Sequence, residues 1–202
     1  MDALADAVKR KYQRAERTHD AKPALDAAPR LGEYRQTMTP EHRAVIDAIR
    51  SSALVVRRAV EGVPPGRMVA VPKPGEWSAL ETLTHVRDVI VHVYGTRMRR
   101  LFCEDSPFFP EFDEEAYRPA SLARGESATY LLDTIEAEHD QLARLLEGLP
   151  DGEWARQGNH PSMGVLSIEF LARRIGEHAL EHAAQITEAA REETARDPRA
   201  GR

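Results

Sequence analysis

The sequence predicts an all-α fold, a four-helix bundle preceded by an N-terminal arm and carrying a long aromatic crossover loop. Three observations lead there. Four segments repeat apolar residues at steps of three and four. No segment alternates strongly enough to make a central strand. The helical segments are joined by loops of roughly 15–20 residues, long enough to cross a bundle from end to end.

Residues 1–36 read as an arm: Leu4, Ala7 and Val8 could share one side of a short charged helix, but Pro23 and Pro29 break any helix beyond it. The first bundle helix opens at Thr39-Pro40, a capping residue followed by a proline at the first helical position. It carries Val45, Ile49, Val56 and Val60 at helical spacing until Gly62 and Pro64 end it. Four prolines then make 63–77 a connecting loop, in which Met68–Val71 could be briefly extended. Ser78 and Glu81 have the spacing of a capping box, so a second helix is expected over 79–103, with Leu80, Leu83, Ile90, Tyr94 and Leu101 inward. Residues 104–126 are too broken for a long helix and hold Phe108, Phe109, Phe112 and Tyr117. A third helix is expected over 127–149 on Leu132, Ile135, His139, Leu142, Leu146 and Leu149. A closing loop comes next, then a fourth helix over about 165–192. The bundle therefore occupies 37–195, with 196–202 a disordered tail.

Composition narrows the function. A chain of 202 residues suits one core, and 42% hydrophobic against 30% charged residues with few aromatics is a soluble helical profile. No membrane-length apolar run and no signal-peptide pattern at the N-terminus are seen, so the expectation is a cytoplasmic protein without a membrane partner. Cys103 is the only cysteine, which excludes an intrachain disulfide and a cysteine-rich zinc site and leaves histidines and carboxylates to hold any metal. Net charge is −5 with basic and acidic residues interspersed, so nothing favours nucleic acid as a partner.

The fourth helix raises the functional question. Leu171, Ile175, Ile186 and Ala189 define its apolar stripe, and His178 and His182 fall inside it. Buried imidazoles need partners. Two readings compete: each ring is a core residue hydrogen-bonded to a carboxylate or carbonyl, or the pair, one turn apart, binds a metal ion. A third ligand decides between them, and His85 lies at the edge of the second helix's apolar arc, within reach of a site near the bundle's end. His139 is the substitute, with a core hydrogen bond its more ordinary role. His92 points to the surface, and His19, His42 and His160 carry no specific signal, although His160 could lie near a pocket mouth.

Taken together, GEWSALETLTHVRDV at 75–89 and GVLSIEFLARRIGEHALEHAAQI at 164–186 resemble the tryptophan-serine helix start with its following histidine, and the final H-x-x-x-H-x-x-Q-I helix, of the DinB-like (YfiT-like) family of bacterial metalloenzymes. The likeness spans about 37–192. It implies a four-helix bundle, often a homodimer, that binds a divalent ion such as zinc or nickel through His85, His178 and His182. It also implies metal-dependent transferase or isomerase chemistry on a small-molecule substrate, in some members with a low-molecular-weight thiol such as bacillithiol or mycothiol. Three neutral histidines with open positions make a catalytic type of site. Glu81, one turn before His85, and Glu181, beside His182, are its candidate acid–base groups, with solvated surface carboxylates as their plain alternative. Two rival functions stay open: a non-enzymatic metal-stabilised or metal-sensing dimeric bundle, and an H-x-x-E-H hydrolase with Glu181 as base. A di-iron centre would need paired E-x-x-H motifs, and only Glu136–His139 qualifies.

Overall fold

The computed structural model describes residues 38–64 and 66–194; the expected arm at 1–36 and tail at 196–202 lie outside the described residues. The first helix, α1 (Pro40–Glu61), starts where the cap predicts, with the Thr39 hydroxyl accepting from His42 N at 3.2 Å. The second bundle helix runs without a break from Ala79 to Cys103, in three parts: α2 (Ala79–Asp88), a π-helical stretch (Val89–Gly95) and α3 (Thr96–Cys103). The capping box at its start is complete: Ser78 N donates to Glu81 Oε2 at 2.8 Å, and Glu81 N donates to Ser78 Oγ at 3.2 Å. The crossover contains α4 (Glu114–Leu122), capped by Asp113, whose Oδ1 accepts from Ala116 N. After it come α5 (Ala128–Glu147), a 3₁₀ turn (Asp151–Ala155) and a hairpin of β1 (Gln157–His160) and β2 (Gly164–Ser167). The last helix is α6 (Ile168–Thr194).

Both α1 and α2 pack on α5 and on α6, so the four-helix bundle expected from periodicity is the fold. Ile49, Val56, Leu83, Ile135, Leu142, Leu146 and Ile186 are fully buried at its centre, each large side chain contributing roughly 1.5–3 kcal/mol by leaving water. Among the described residues no helix is long and apolar enough to cross a membrane.

Two local features depart from the expectation. The π stretch inserts a wider turn into the second helix, so a face extrapolated at 100° per residue slips along it. Tyr94, within that stretch, is only partly buried, as is Leu80 in the helix's first turn, whereas Met98 and Phe102 join Leu83 and Leu101 in the core. The segment 157–167, expected as loop and helix start, is an antiparallel hairpin with Gln157 opposite Ser167. Its strands are four residues long, too short for alternation to show in sequence.

The crossover is more ordered than its prolines suggested. Phe109 N donates to Asn159 O at 2.7 Å and Asn159 N to Pro107 O at 2.8 Å, stitching its first part to the hairpin. A buried ionic network fastens α4 to α2. Arg87 donates to Asp88 at 2.8 Å, to Glu126 Oε1 at 3.1 Å and to Ser121 Oγ at 3.3 Å, and Arg124 donates to Asp88 at 3.3 Å.

Candidate metal centre

Seven residues past its cap, α2 presents His85 toward α6, and the ring is buried. His178 and His182, one turn apart, share a face of α6 and meet it there. The three Nε2 atoms face one another: His85–His178 3.2 Å, His85–His182 3.1 Å and His178–His182 3.1 Å. Among the described residues this is the one group of three or more His, Cys, Asp or Glu whose ligand atoms cluster tightly enough for a metal ion. The rings sit in an aromatic cage, with Trp77 5.2 Å from His85 and Tyr94 edge-on to His178 at 5.6 Å between centroids.

The three imidazoles are neutral bases. Burial, followed by the neighbouring His182, lowers the His85 pKa from 6.5 to about 4. Burial, followed by the other two rings, lowers that of His178 to about 3, and burial lowers His182 as well. On His182 the outer nitrogen Nδ1 lies 2.7 Å from Gln185 Oε1, an acceptor, so Nδ1 carries the proton and Nε2 is a bare lone pair. On His85 the outer nitrogen lies 2.7 Å from Glu114 Oε1, and a carboxylate there likewise favours the proton on Nδ1. Two lone pairs then face each other at 3.1 Å with no proton between them. A cation relieves that repulsion. Three nitrogens so spaced all fall within the roughly 2.0–2.1 Å Zn–N reach of one point, so these residues fit a divalent ion.

The centre opens on a cavity of about 640 Å³ whose walls include Trp77, Thr82, His85, Glu114, His182 and Gln185. Thr82 is not a free nucleophile, because its hydroxyl donates to Ser78 O at 3.1 Å.

The acid–base candidates lie elsewhere. Glu81 commits its carboxylate to the Ser78 backbone and hydroxyl, and Glu181 is exposed and reaches Arg174 at 3.3 Å. Neither lines the cavity, because capping uses one and helix phase turns the other outward. The H-x-x-E-H reading loses its base by the same geometry. The acid beside the rings is Glu114, which had no local signal, standing 29 residues from His85. Gln185, the polar residue of the H-x-x-x-H-x-x-Q-I run, stands one turn beyond His182 and was legible there by spacing. His19 lies outside the described residues, and the remaining described histidines have partners of their own. His139 is buried with Nδ1–H donating to Ile135 O at 2.8 Å. His92 is exposed and bonded to the Tyr117 hydroxyl. His42 stacks on Trp154 and pairs with Asp151. His160 is buried in β1, apart from the residues that line this cavity, with Nε2 2.9 Å from Arg97. Glu136 pairs with Arg57 instead of completing a di-iron motif.

A helical bundle that gathers three imidazoles beside an open cavity defines the class: a four-helix protein with a three-histidine cluster. The chain belongs to the DinB superfamily, whose family model matches residues 48–186. YfiT of Bacillus subtilis (strain 168), which carries the name of a metal-dependent hydrolase, is 22% identical over 165 residues, 80% of this chain and 92% of its own. A Geobacillus thermodenitrificans (strain NG80-2) protein similarly named is 26% identical over 145 residues, 70% of this chain and 79% of its own. The solved structure of YfiT, described as "a probable metal-dependent hydrolase with an unusual four-helix bundle topology", superposes with a TM-score of 0.70 at 22% identity. That match covers 81% of this chain and 95% of YfiT, and confirms the fold.

Proposed function

We propose that this protein is a metal-dependent enzyme acting on a small molecule, with His85, His178 and His182 holding a divalent ion, zinc or nickel. The observation that carries the reading is the mutual approach of three Nε2 atoms to 3.1–3.2 Å at the wall of an open cavity. A purely structural metal is enclosed by four protein ligands, whereas here two of the three rings line a cavity. Such an ion, when bound, supplies a Lewis acid. The chain's own residues hold the imidazoles neutral, fix the protons of His85 and His182 on the outer nitrogens and wall the cavity with Trp77. The one hydroxyl on the described cavity wall, Thr82, is engaged with Ser78 O, which favours an attacking group that arrives from solution. Water makes the enzyme a hydrolase, the reading supported by the names of its relatives. A low-molecular-weight thiol makes it a transferase or isomerase, a reading supported by a cavity roomy enough for a second small molecule.

Elemental analysis of protein purified without a histidine tag tests the metal. About one equivalent is expected in the wild type, and loss in each of His85→Ala, His178→Ala and His182→Ala with helical content retained. Retention of metal in all three variants would overturn the reading. Turnover of ester and amide substrates without thiol, against thiol-dependent turnover of an electrophile, separates the two chemistries. A homodimer is part of the proposal, supported by exposed Val55 and Leu180 lining one groove between α1 and α6, and is checked by light scattering.

A further inference from the structure

We propose that Glu114, delivered by the crossover helix α4, is a positioning residue: it holds His85 in the tautomer with the proton on Nδ1 and so sets the affinity of the three-histidine centre for a divalent cation. The proposal rests on the metal-binding reading above.

The first observation is the contact itself. Glu114 Oε1 is buried and stands 2.7 Å from His85 Nδ1, off the N–H axis, with no other hydrogen-bond partner among the described residues. No other donor among the described residues competes for that oxygen. The other part of the carboxylate reaches the cavity, since the side chain is 40% exposed and lines its wall.

The second observation is how the crossover is held. Glu114, Arg118 and Ser121 succeed one another at steps of four and three, one face of α4, and that face looks at α2 and its approach. Ser121 accepts from the buried Arg87, two residues beyond His85. Arg118 lies over the Trp77 ring at 4.9 Å, and Trp77 in turn flanks His85. The network among Arg87, Asp88, Arg124 and Glu126 locks the end of the same segment. So much fixed, desolvated polarity has little purpose in a mere connection between helices, but it places one carboxylate beside one ring nitrogen.

Proton placement gives that contact its consequence. A neutral imidazole has one proton, and on Nε2 of His85 it would project into the cluster and block coordination. A carboxylate at Nδ1 accepts only, so it selects the ligating form and raises the ring's donor strength. His182 is oriented from its own helix by Gln185. The tautomer of His85 instead depends on another element, which couples residues 104–126 to the centre.

The test uses Zn²⁺ alone as the probe, titrated against a competing chelator, on wild type, Glu114→Ala and Glu114→Gln. The ¹⁵N shifts of His85 are read in the metal-free proteins. Glu114→Ala is expected to bind zinc roughly 10–100-fold more weakly and to populate both His85 tautomers. Glu114→Gln, whose amide oxygen still accepts, should lose less and keep the proton on Nδ1. Unchanged zinc affinity with an unchanged His85 tautomer in Glu114→Ala would overturn the proposal. So would loss of helical content in Glu114→Gln, which would make the contact structural. If the wild type takes up no zinc, the metal reading fails, while the ¹⁵N shifts still report whether Glu114 sets the tautomer.

Discussion

His139 and the cluster histidines show what burial does to an imidazole with different surroundings. At His139 the ring is buried, Nδ1–H satisfies Ile135 O, and Nε2 has no hydrogen-bond partner. Burial lowers its pKa from 6.5 to about 4, partly offset by the Ile135 carbonyl. Between pH 6.5 and about 4 the unfolded chain takes up a proton that the native state refuses, so stability falls as the pH drops through that window. At about 1.4 kcal/mol per unit, the loss attributable to this residue is of the order of 3 kcal/mol. His139→Leu is expected to stay within about 1 kcal/mol of wild type at pH 7, because it removes a desolvated orphan acceptor with the rest of the ring. It should also lose less stability between pH 7 and pH 4 in urea unfolding. Equal acid losses in the two proteins would refute the account. The same spacing rules that put His139 on an apolar stripe put His178 and His182 on one, so the stripe alone could not tell a core imidazole from a cluster member. The difference lies in what the facing helix offers.

Individual elements were legible where local chemistry terminates them. The caps read at Thr39 and Ser78 stand at the helix starts, each accepting a backbone N–H, and Ser127, expected as the first residue of the third helix, is its cap. Ser78→Ala should cost about 1 kcal/mol, or roughly 2–4 °C in melting temperature. It also releases Glu81 from its cap, so an unchanged melting temperature would argue that the box contributes nothing. The π stretch had no comparable signature. Its end needs Gly95: a Cβ there would stand 2.8 Å from Ile90 O and against the Arg99–Glu138 ion pair. Gly95→Ala is therefore expected to destabilise by roughly 1–3 kcal/mol despite alanine's better helix propensity, as thermal unfolding would read. Stabilisation would mean that the helix relaxes to a regular α form at no cost.

For the whole molecule, an ion that binds the native centre and not the unfolded chain adds stability by mass action. At a free concentration about 100-fold above Kd the gain is about 2.7 kcal/mol, roughly 5–10 °C for a domain of this size. Zinc should raise the melting temperature by that order, a chelator should reverse it, and His178→Ala should show no shift; a shift that survives in the variant would place the metal elsewhere. By itself the sequence determined the four amphipathic helices, their caps, the apolar faces that make a bundle and the placement of His178 and His182 on one of them. Each of these arises from interactions within a few residues, which periodicity and capping chemistry report directly. Only the tertiary structure decided that His85 meets that pair at 3.1–3.2 Å, that Glu81 and Glu181 turn away, and that Glu114 stands at His85. Those outcomes depend on helix phase across an interface, on a π turn that resets it, and on a crossover folded by a buried ionic network, and contacts between residues 29 or 93 positions apart leave no local periodic trace.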